Sequence, residues 1–237
     1  MILFAYKILR GITLEDIKDY REKELKQYVV ANVLLFLIIH GILDFKSTSN
    51  VELVQQIISV IGVTLLSSVV YIFTLLIDNL ISDKLKVMLM NFYFMCLPGE
   101  KIFTLISEKN QDVRFTKEEA IDKYSEIYDN IDKQTDRKKY ENREWYKIYN
   151  KYRSRPMIFM SNREYLLMRD MYISTLALSL IYISLSLIFM WIKFNMGFGL
   201  YLLILILVTN IASHIKAKRF VFNVIAMDLT ENVKEEK

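Results

Sequence analysis

Two uncharged runs separated by a single lysine constrain this chain more than any other feature. "MYISTLALSLIYISLSLIFMWI", 171 to 192, has 22 residues without a charge, and "FNMGFGLYLLILILVTNIAS", 194 to 213, has 20. A bilayer core of about 30 Å takes about 20 helical residues at about 1.5 Å each. Both runs therefore read as membrane-spanning helices. A third uncharged run extends from Leu53 to Ile77, long enough to span with tilt. "YVVANVLLFLIIHGIL", 28 to 43, is shorter and carries His40, so a buried or re-entrant helix competes with a span there.

The chain is 53% hydrophobic and 24% charged, two values that fit together only if the two classes come in separate blocks. Lys and Arg then set the orientation, because basic residues concentrate on the cytoplasmic side. Six precede residue 28, eighteen lie between 83 and 169, and five follow residue 213. The loop at 44–51 has only Lys46, and the turn between the last two runs only Lys193. Four spans put all the dense basic segments on one side, which three would not. The expected fold is all-α: a multi-pass membrane protein with both termini cytoplasmic and Trp191 as an interfacial anchor. The expected organisation is a cytoplasmic amphipathic helix at 1–27 and spans one and two at 28–81. A cytoplasmic helical region at 82–168, spans three and four at 169–215 and a tail at 216–237 follow.

Several classes fall away. One cysteine, Cys96, permits no internal disulfide framework, and two histidines, His40 and His214, leave zinc without a ligand set. The N-terminus lacks the pattern of a cleaved secretory signal. No nucleophile elbow, P-loop or H-E-x-x-H is present, so an enzyme and a cofactor are not expected.

Local signals outline the cytoplasmic region. Thr13 before Glu15 and Asp16 suits a helix N-cap. "KLKVMLMNFYFMCLPGEKIF" reads as an interfacial or buried helix interrupted at Pro98-Gly99. Thr116 and Glu119 form a capping box, followed by Ile121, Tyr124, Ile127, Tyr128 and Ile131 at helical spacing. A helix is expected from about Thr135 to Arg153, broken by Arg155-Pro156. A second capping box, Ser161 to Glu164, is expected to start the helix that becomes span three. These few helices are too small to form a self-sufficient domain and are expected to lean on the membrane base or on other subunits.

"ENREWYKIYNKYRSRP", 141 to 156, is the most distinctive soluble segment. Lys139, Arg143, Lys147 and Lys151 recur every fourth residue as one cationic stripe, with Arg153 just beyond. Trp145, Tyr149 and Tyr152 adjoin it, with Tyr146 beside them. Cations that meet phosphates beside aromatic faces that stack on bases suit a nucleotide or a single-stranded oligonucleotide. Two other readings stand beside this one. The aromatic face packs against another helix while the cations are solvated, or the basic stripe touches anionic lipid headgroups.

Polar residues also line the apolar runs. Gln56, Ser59, Ser67, Tyr71, Thr74 and Asp78 share roughly one face of the second, and Tyr172, Thr175, Ser179, Tyr182 and Ser186 one face of the third. Such residues let helices approach and hydrogen-bond. The alternative is a water-filled path with Glu52 and Asp78 at its mouths. His40, ionisable near the end of a span, is a functional candidate or an interfacial histidine. His214 is interfacial.

"EWYKIYNKYRSRPMIFMSNREYLLMRD", leading into a polar-lined span, resembles small four-span bacterial membrane effectors of anti-phage systems, the Hailong-type effectors among them. The resemblance covers about residues 95–175. It implies a homo-oligomer, taken here as a tetramer, that forms a gated ion path and depolarises the inner membrane. It also implies a nucleotidyltransferase partner that makes the controlling ligand. A non-channel membrane scaffold that recruits a cytoplasmic protein is the rival expectation. A transporter subunit fits less well, because inverted repeats and broken helices are missing.

Overall fold

The computed structural model describes residues 14–41, 60–62, 64–66, 68–72, 76, 80–90, 98–109 and 112–235, and all regular structure among them is helical. Helix α1 is Leu14–Ile39 and α2 is Asp83–Met90. A 3-10 turn at Pro98–Lys101 leads into α3, Ile102–Lys109. Then come α4 (Lys117–Lys123), α5 (Ser125–Ile131), α6 (Arg137–Tyr152), α7 (Pro156–Ile183, continued by a π-helical turn at Ser184–Ile188) and α8 (Met196–Glu235). The chain forms two compact units: Val87–Leu166 with Ala212–Lys237, here the charged unit, and Ile17–Lys86 with Leu167–Ile211, here the apolar unit. Helices α7 and α8 supply residues to both.

Two helical stretches are long and apolar enough to cross a membrane, Pro156–Ile188 and Met196–Glu231. Among the described residues there are two such helices where four were expected, for two reasons. In α1 the apolar run starts only at Tyr28, after a charged first half, and helix ends at Ile39. Gly41 then turns the chain at φ +65, a left-handed conformation that glycine adopts without a Cβ clash, and its N–H donates to the Ile38 carbonyl. Of the run from Leu53 to Ile77, only part lies within the described residues, helical where it does.

In the apolar unit, Val29, Val33 and Leu37 of α1 form a buried stripe one helical turn apart, against which Val70, Tyr71 and Leu178 pack. A second cluster joins Tyr182 to Phe198 and Leu202. Polar groups are tied off locally. The Tyr28 hydroxyl lies 2.6 Å from Thr175 Oγ1, the Tyr201 hydroxyl donates to Asn32 Oδ1 at 2.7 Å, and Asn32 Nδ2 donates to the Tyr28 carbonyl. The hairpin between α7 and α8 is pinned by Tyr182, whose hydroxyl accepts from Asn195 N at 2.7 Å and faces its carbonyl at 3.1 Å. Asn195 Oδ1 in turn caps the Phe198 N–H. Outward, α8 exposes Leu200, Leu203, Ile204, Leu207, Val208 and Ile211, a contiguous apolar surface of the kind that marks a membrane or interaction face.

In the charged unit the last third of α8 is the core element. Phe220, Val221, Phe222, Val224 and Ile225 are all buried, where the sequence suggested a plain tail. Phe103, Ile106, Trp145, Tyr152 and Ile158 complete the interior. Each such apolar side chain, fully buried, stabilises the fold by about 1.5–3 kcal/mol. The Thr116–Glu119 capping box forms as expected, with both reciprocal hydrogen bonds made. The helix it starts ends at Lys123 and a new one begins at Ser125, because Tyr124 leaves helical geometry at the junction.

The expected start of span three at Ser161 is corrected. Helix α7 begins at Pro156, whose fixed φ and missing N–H suit a first helical position. Ser161 lies inside the helix, and its hydroxyl donates back to the Ile158 carbonyl at 3.0 Å. The Thr13 cap lies outside the described residues.

Candidate functional site

Helix α6 starts at an Asp136 cap, whose carboxylate accepts the Lys139 N–H, and it turns one face inward and one outward. The inward face carries Glu141, Trp145 and Tyr152, spaced four and seven residues apart. Trp145 stacks on Tyr149 with centroids 5.6 Å apart and planes 8° from parallel, and meets the edge of Phe220 at 5.4 Å. Its Nε1–H donates to the Val221 carbonyl at 3.4 Å. Gly99 allows this close approach: a Cβ there would sit 2.8 Å from Trp145 Cε3. Tyr149 is half-buried and its hydroxyl accepts from Asn162 Nδ2 at 3.1 Å. Trp145 is 5% and Tyr152 2% exposed, so neither offers a stacking face to a ligand from solution. Of the aromatic stripe expected to receive bases, these two are core residues instead.

The cations face out. Lys139, Arg143, Lys147, Lys151 and Arg153 are all exposed. Glu144 pairs with two of them, Arg143 Nε at 3.1 Å and Lys147 Nζ at 2.7 Å. Lys151 Nζ lies 3.7 Å from Asp228. In each pair the cation is exposed and the carboxylate is buried, so the cationic groups stay open to solvent while their partners are held in the fold. One carboxylate per two cations also leaves the face with a positive excess. Exposed Tyr146 and half-exposed Tyr140 are the aromatic groups left on this side, and the Arg143 guanidinium lies 5.2 Å over the Tyr140 ring. A polar depression of about 430 Å³ opens between Thr135, Asp136, Lys139, Tyr140, Asn142 and Arg143. Its Lys and Arg can grip a phosphate and its tyrosine can flank a ring.

Two buried carboxylates escaped sequence reasoning. Asp228 accepts the Tyr124 hydroxyl at 2.7 Å and pairs with Lys123 at 2.9 Å; Lys123 also reaches the Asp228 carbonyl. Burial alone would raise its pKa, but the contacts with Lys123, Tyr124 and Tyr152 hold it below the usual carboxylate range. The same burial and the carboxylate push the Tyr124 hydroxyl up. Glu141 caps the start of α3, accepting from Thr104 N at 3.1 Å and Thr104 Oγ1 at 2.5 Å. Burial raises its pKa despite these bonds. The signal for Asp228 was the apolar "FVFNVIAMDL" around it, and for Glu141 its inward register with Trp145.

The polar lines resolve in part. Gln56, Ser59, Ser67, Thr74 and Asp78 lie outside the described residues. Tyr71 packs against the Val29 cluster with Lys26 5.8 Å over its ring. Thr175 bonds Tyr28 and the Met171 carbonyl, and Ser179 donates to the Thr175 carbonyl at 2.7 Å. Of these contacts the one with Tyr28 joins α1 to α7, and the other two are bonds back to the α7 backbone. His40 Nδ1 donates to the Phe36 carbonyl at 3.0 Å, and its ring sits among Phe36, Tyr182 and Phe198. His214 Nε2 lies 3.2 Å from the Met90 carbonyl. Among the described residues no three His, Cys, Asp or Glu side chains are grouped to hold a metal ion.

No protein family, curated protein or solved structure matches this chain.

Proposed function

We propose that this chain is a bacterial inner-membrane effector that crosses the bilayer four times and holds the charged unit in the cytoplasm. An anionic, phosphate-bearing ligand binds the outer face of α6, and copies of the chain assemble around an ion path that the ligand gates. The path lies between copies, since Thr175 is bonded to Tyr28 and Ser179 to its own helix backbone within one copy. The ligand is held by Lys139, Arg143 and Lys147 and flanked by Tyr140 and Tyr146. With Trp145 and Tyr152 buried, a mononucleotide or a short oligonucleotide fits this face better than a long stacked strand.

One observation carries the proposal: a single helix, α8, is lipid-compatible over its first half and supplies the core of the cation-faced unit with its last third. Any rearrangement of that core on ligand binding acts directly on the helix that enters the apolar unit. The test is ion flux from liposomes holding the purified protein, with nucleoside phosphates and short oligonucleotides added outside. Flux that depends on one of them, and that the Lys139→Ala, Arg143→Ala, Lys147→Ala triple variant loses, supports the proposal. Vesicles that stay tight under every ligand contradict it.

A membrane scaffold that recruits a cytoplasmic protein is the second reading, favoured by the burial of the two strongest stacking residues. A stable complex with a neighbouring-gene protein, together with no conductance, would select it.

A further inference from the structure

A hollow of about 130 Å³ lies inside the apolar unit, and all four uncharged runs wall it. Val33 and Phe36 come from the first, Val70 from the second, Leu178 and Leu185 from the third and Phe198 from the fourth. The polar side chains at the wall are already engaged. Asn32 is held by Tyr201 and the Tyr28 carbonyl, and the Tyr182 hydroxyl is committed to Asn195. Nothing is left to offer a water molecule the two to four partners that it needs, and an apolar hollow of about 150 Å³ is known to stay dry and to accept apolar guests.

Two further observations say what kind of guest fits. Leu185 belongs to the π-helical turn Ser184–Ile188, where the Phe189 N–H reaches five residues back to the Ser184 carbonyl at 3.0 Å. Such widened turns concentrate at functional positions rather than in plain packing. The wall is also not closed: Leu66, which lines the hollow, is 44% exposed, and Leu65, Val69, Leu180 and Ile183 are exposed as well. One wall residue, Leu66, thus also belongs to the outward apolar surface, beside exposed neighbours of the lining residues in the uncharged runs.

We propose that this hollow seats the end of a phospholipid acyl chain. The proposal rests on the membrane placement above, and it assigns the apolar tail rather than the headgroup, because no free polar or charged group lines the space. The π-helical turn supplies the extra width, and the aromatic edges of Phe36, Tyr182 and Phe198 form the floor against which the terminal methylenes pack.

The test uses the full-length protein in nanodiscs of phosphatidylcholine with a diazirine at the end of one acyl chain. After irradiation, cross-links are localised to single residues by mass spectrometry. Labelling is expected at Leu178, Leu185 and Phe198, in addition to the outward Leu207 and Ile211. In Leu178→Phe, which fills the hollow, the label at Leu185 and Phe198 is expected to disappear while that at Leu207 and Ile211 persists. Leu178→Ala, which enlarges it and leaves nothing to overpack, is expected to raise the inner label. Unchanged inner labelling in Leu178→Phe, a fall in Leu178→Ala, or label on Leu207 and Ile211 alone in the unaltered protein would overturn the proposal. Absence of label at Leu207 and Ile211 too would instead reject the membrane placement, and the acyl seat with it.

Discussion

The charged unit and the uncharged runs of the apolar unit hold polar groups away from water in different ways. In the charged unit a buried carboxylate collects cations: Asp228 takes Lys123, with Lys151 nearby, and a tyrosine hydroxyl as well. In the apolar unit Asp170, just ahead of an uncharged run, likewise takes Arg21 and Arg169, while within the uncharged runs neutral groups pair with one another, as Tyr28 does with Thr175 and Tyr201 with Asn32. The outward faces differ too, basic along α6 and aliphatic along α8. The difference teaches that the uncharged runs are compatible with lipid where the face of α6 is not. Interior apolar packing is driven by water where water surrounds a fold, whereas in lipid helices gain mainly from close fit and hydrogen bonds.

Breaking the aromatic core of the charged unit should have the largest effect. Trp145→Ala is expected to cost about 3–5 kcal/mol, the range for a large buried aromatic. It should lower the thermal midpoint in detergent and leave the bilayer insertion of α7 and α8 unchanged. An equal loss of insertion would show that the units do not differ as described.

Asp228→Asn comes next, at about 1.5–3 kcal/mol, the worth of hydrogen bonds to a charged group. Its pKa is lowered in the fold, so its contribution is fully present above the ordinary carboxylate value and is lost as pH falls through the lowered one. Unfolding midpoints measured across the acid range should show this loss in the unaltered protein and not in Asp228→Asn. Glu141 should slope the other way. Its pKa is raised by burial, so the fold favours its neutral form, and its contribution declines as pH rises from the ordinary carboxylate value through the raised one. Glu141→Gln should flatten that decline. If both carboxylates lost stability in the same direction, the electrostatic contrast between a cation-paired and an unpaired burial would be wrong.

Smaller still, Tyr201→Phe should cost only about 0.6 kcal/mol, the mean for an interhelical hydrogen bond in lipid. Thermal unfolding in nanodiscs measures it, and a loss as large as that of Asp228→Asn would place the apolar unit in water-like surroundings. Smallest is Arg143→Ala: its guanidinium is exposed and Lys147 still pairs with Glu144, so the unfolding midpoint should hardly move.

The elements legible in the sequence were those fixed by local chemistry. The uncharged runs at 171–192 and 194–213 fall within helix or its short connecting hairpin, the Thr116–Glu119 box caps α4, and α6 runs within two residues of its expected bounds. What was not legible depended on distant partners. The role of 220–229 as core followed from the inward face of α6, about eighty residues away, and the break at Tyr124 accompanies a bond to Asp228 104 residues on. The cations of α6 are exposed, as a four-residue repeat of Lys and Arg has few ways to be buried. Its aromatic half was ambiguous, since Trp and Tyr on a helix serve a ligand and a core equally well until the facing helix is known. The Ser161 motif failed because Pro156 offered an earlier start.

The most direct test of the central claim is the sidedness of α6 relative to α8. Single cysteines placed by Lys147→Cys or Leu207→Cys, in a background where Cys96→Ser removes the native thiol, are probed with a membrane-impermeant maleimide. In intact cells neither should react. After the inner membrane is permeabilised Lys147→Cys should react fully, while Leu207→Cys stays protected by lipid. Reaction of Lys147→Cys in intact cells, or recovery of the protein in the soluble fraction, would contradict a chain anchored by apolar helices with its cationic face turned to the cytoplasm.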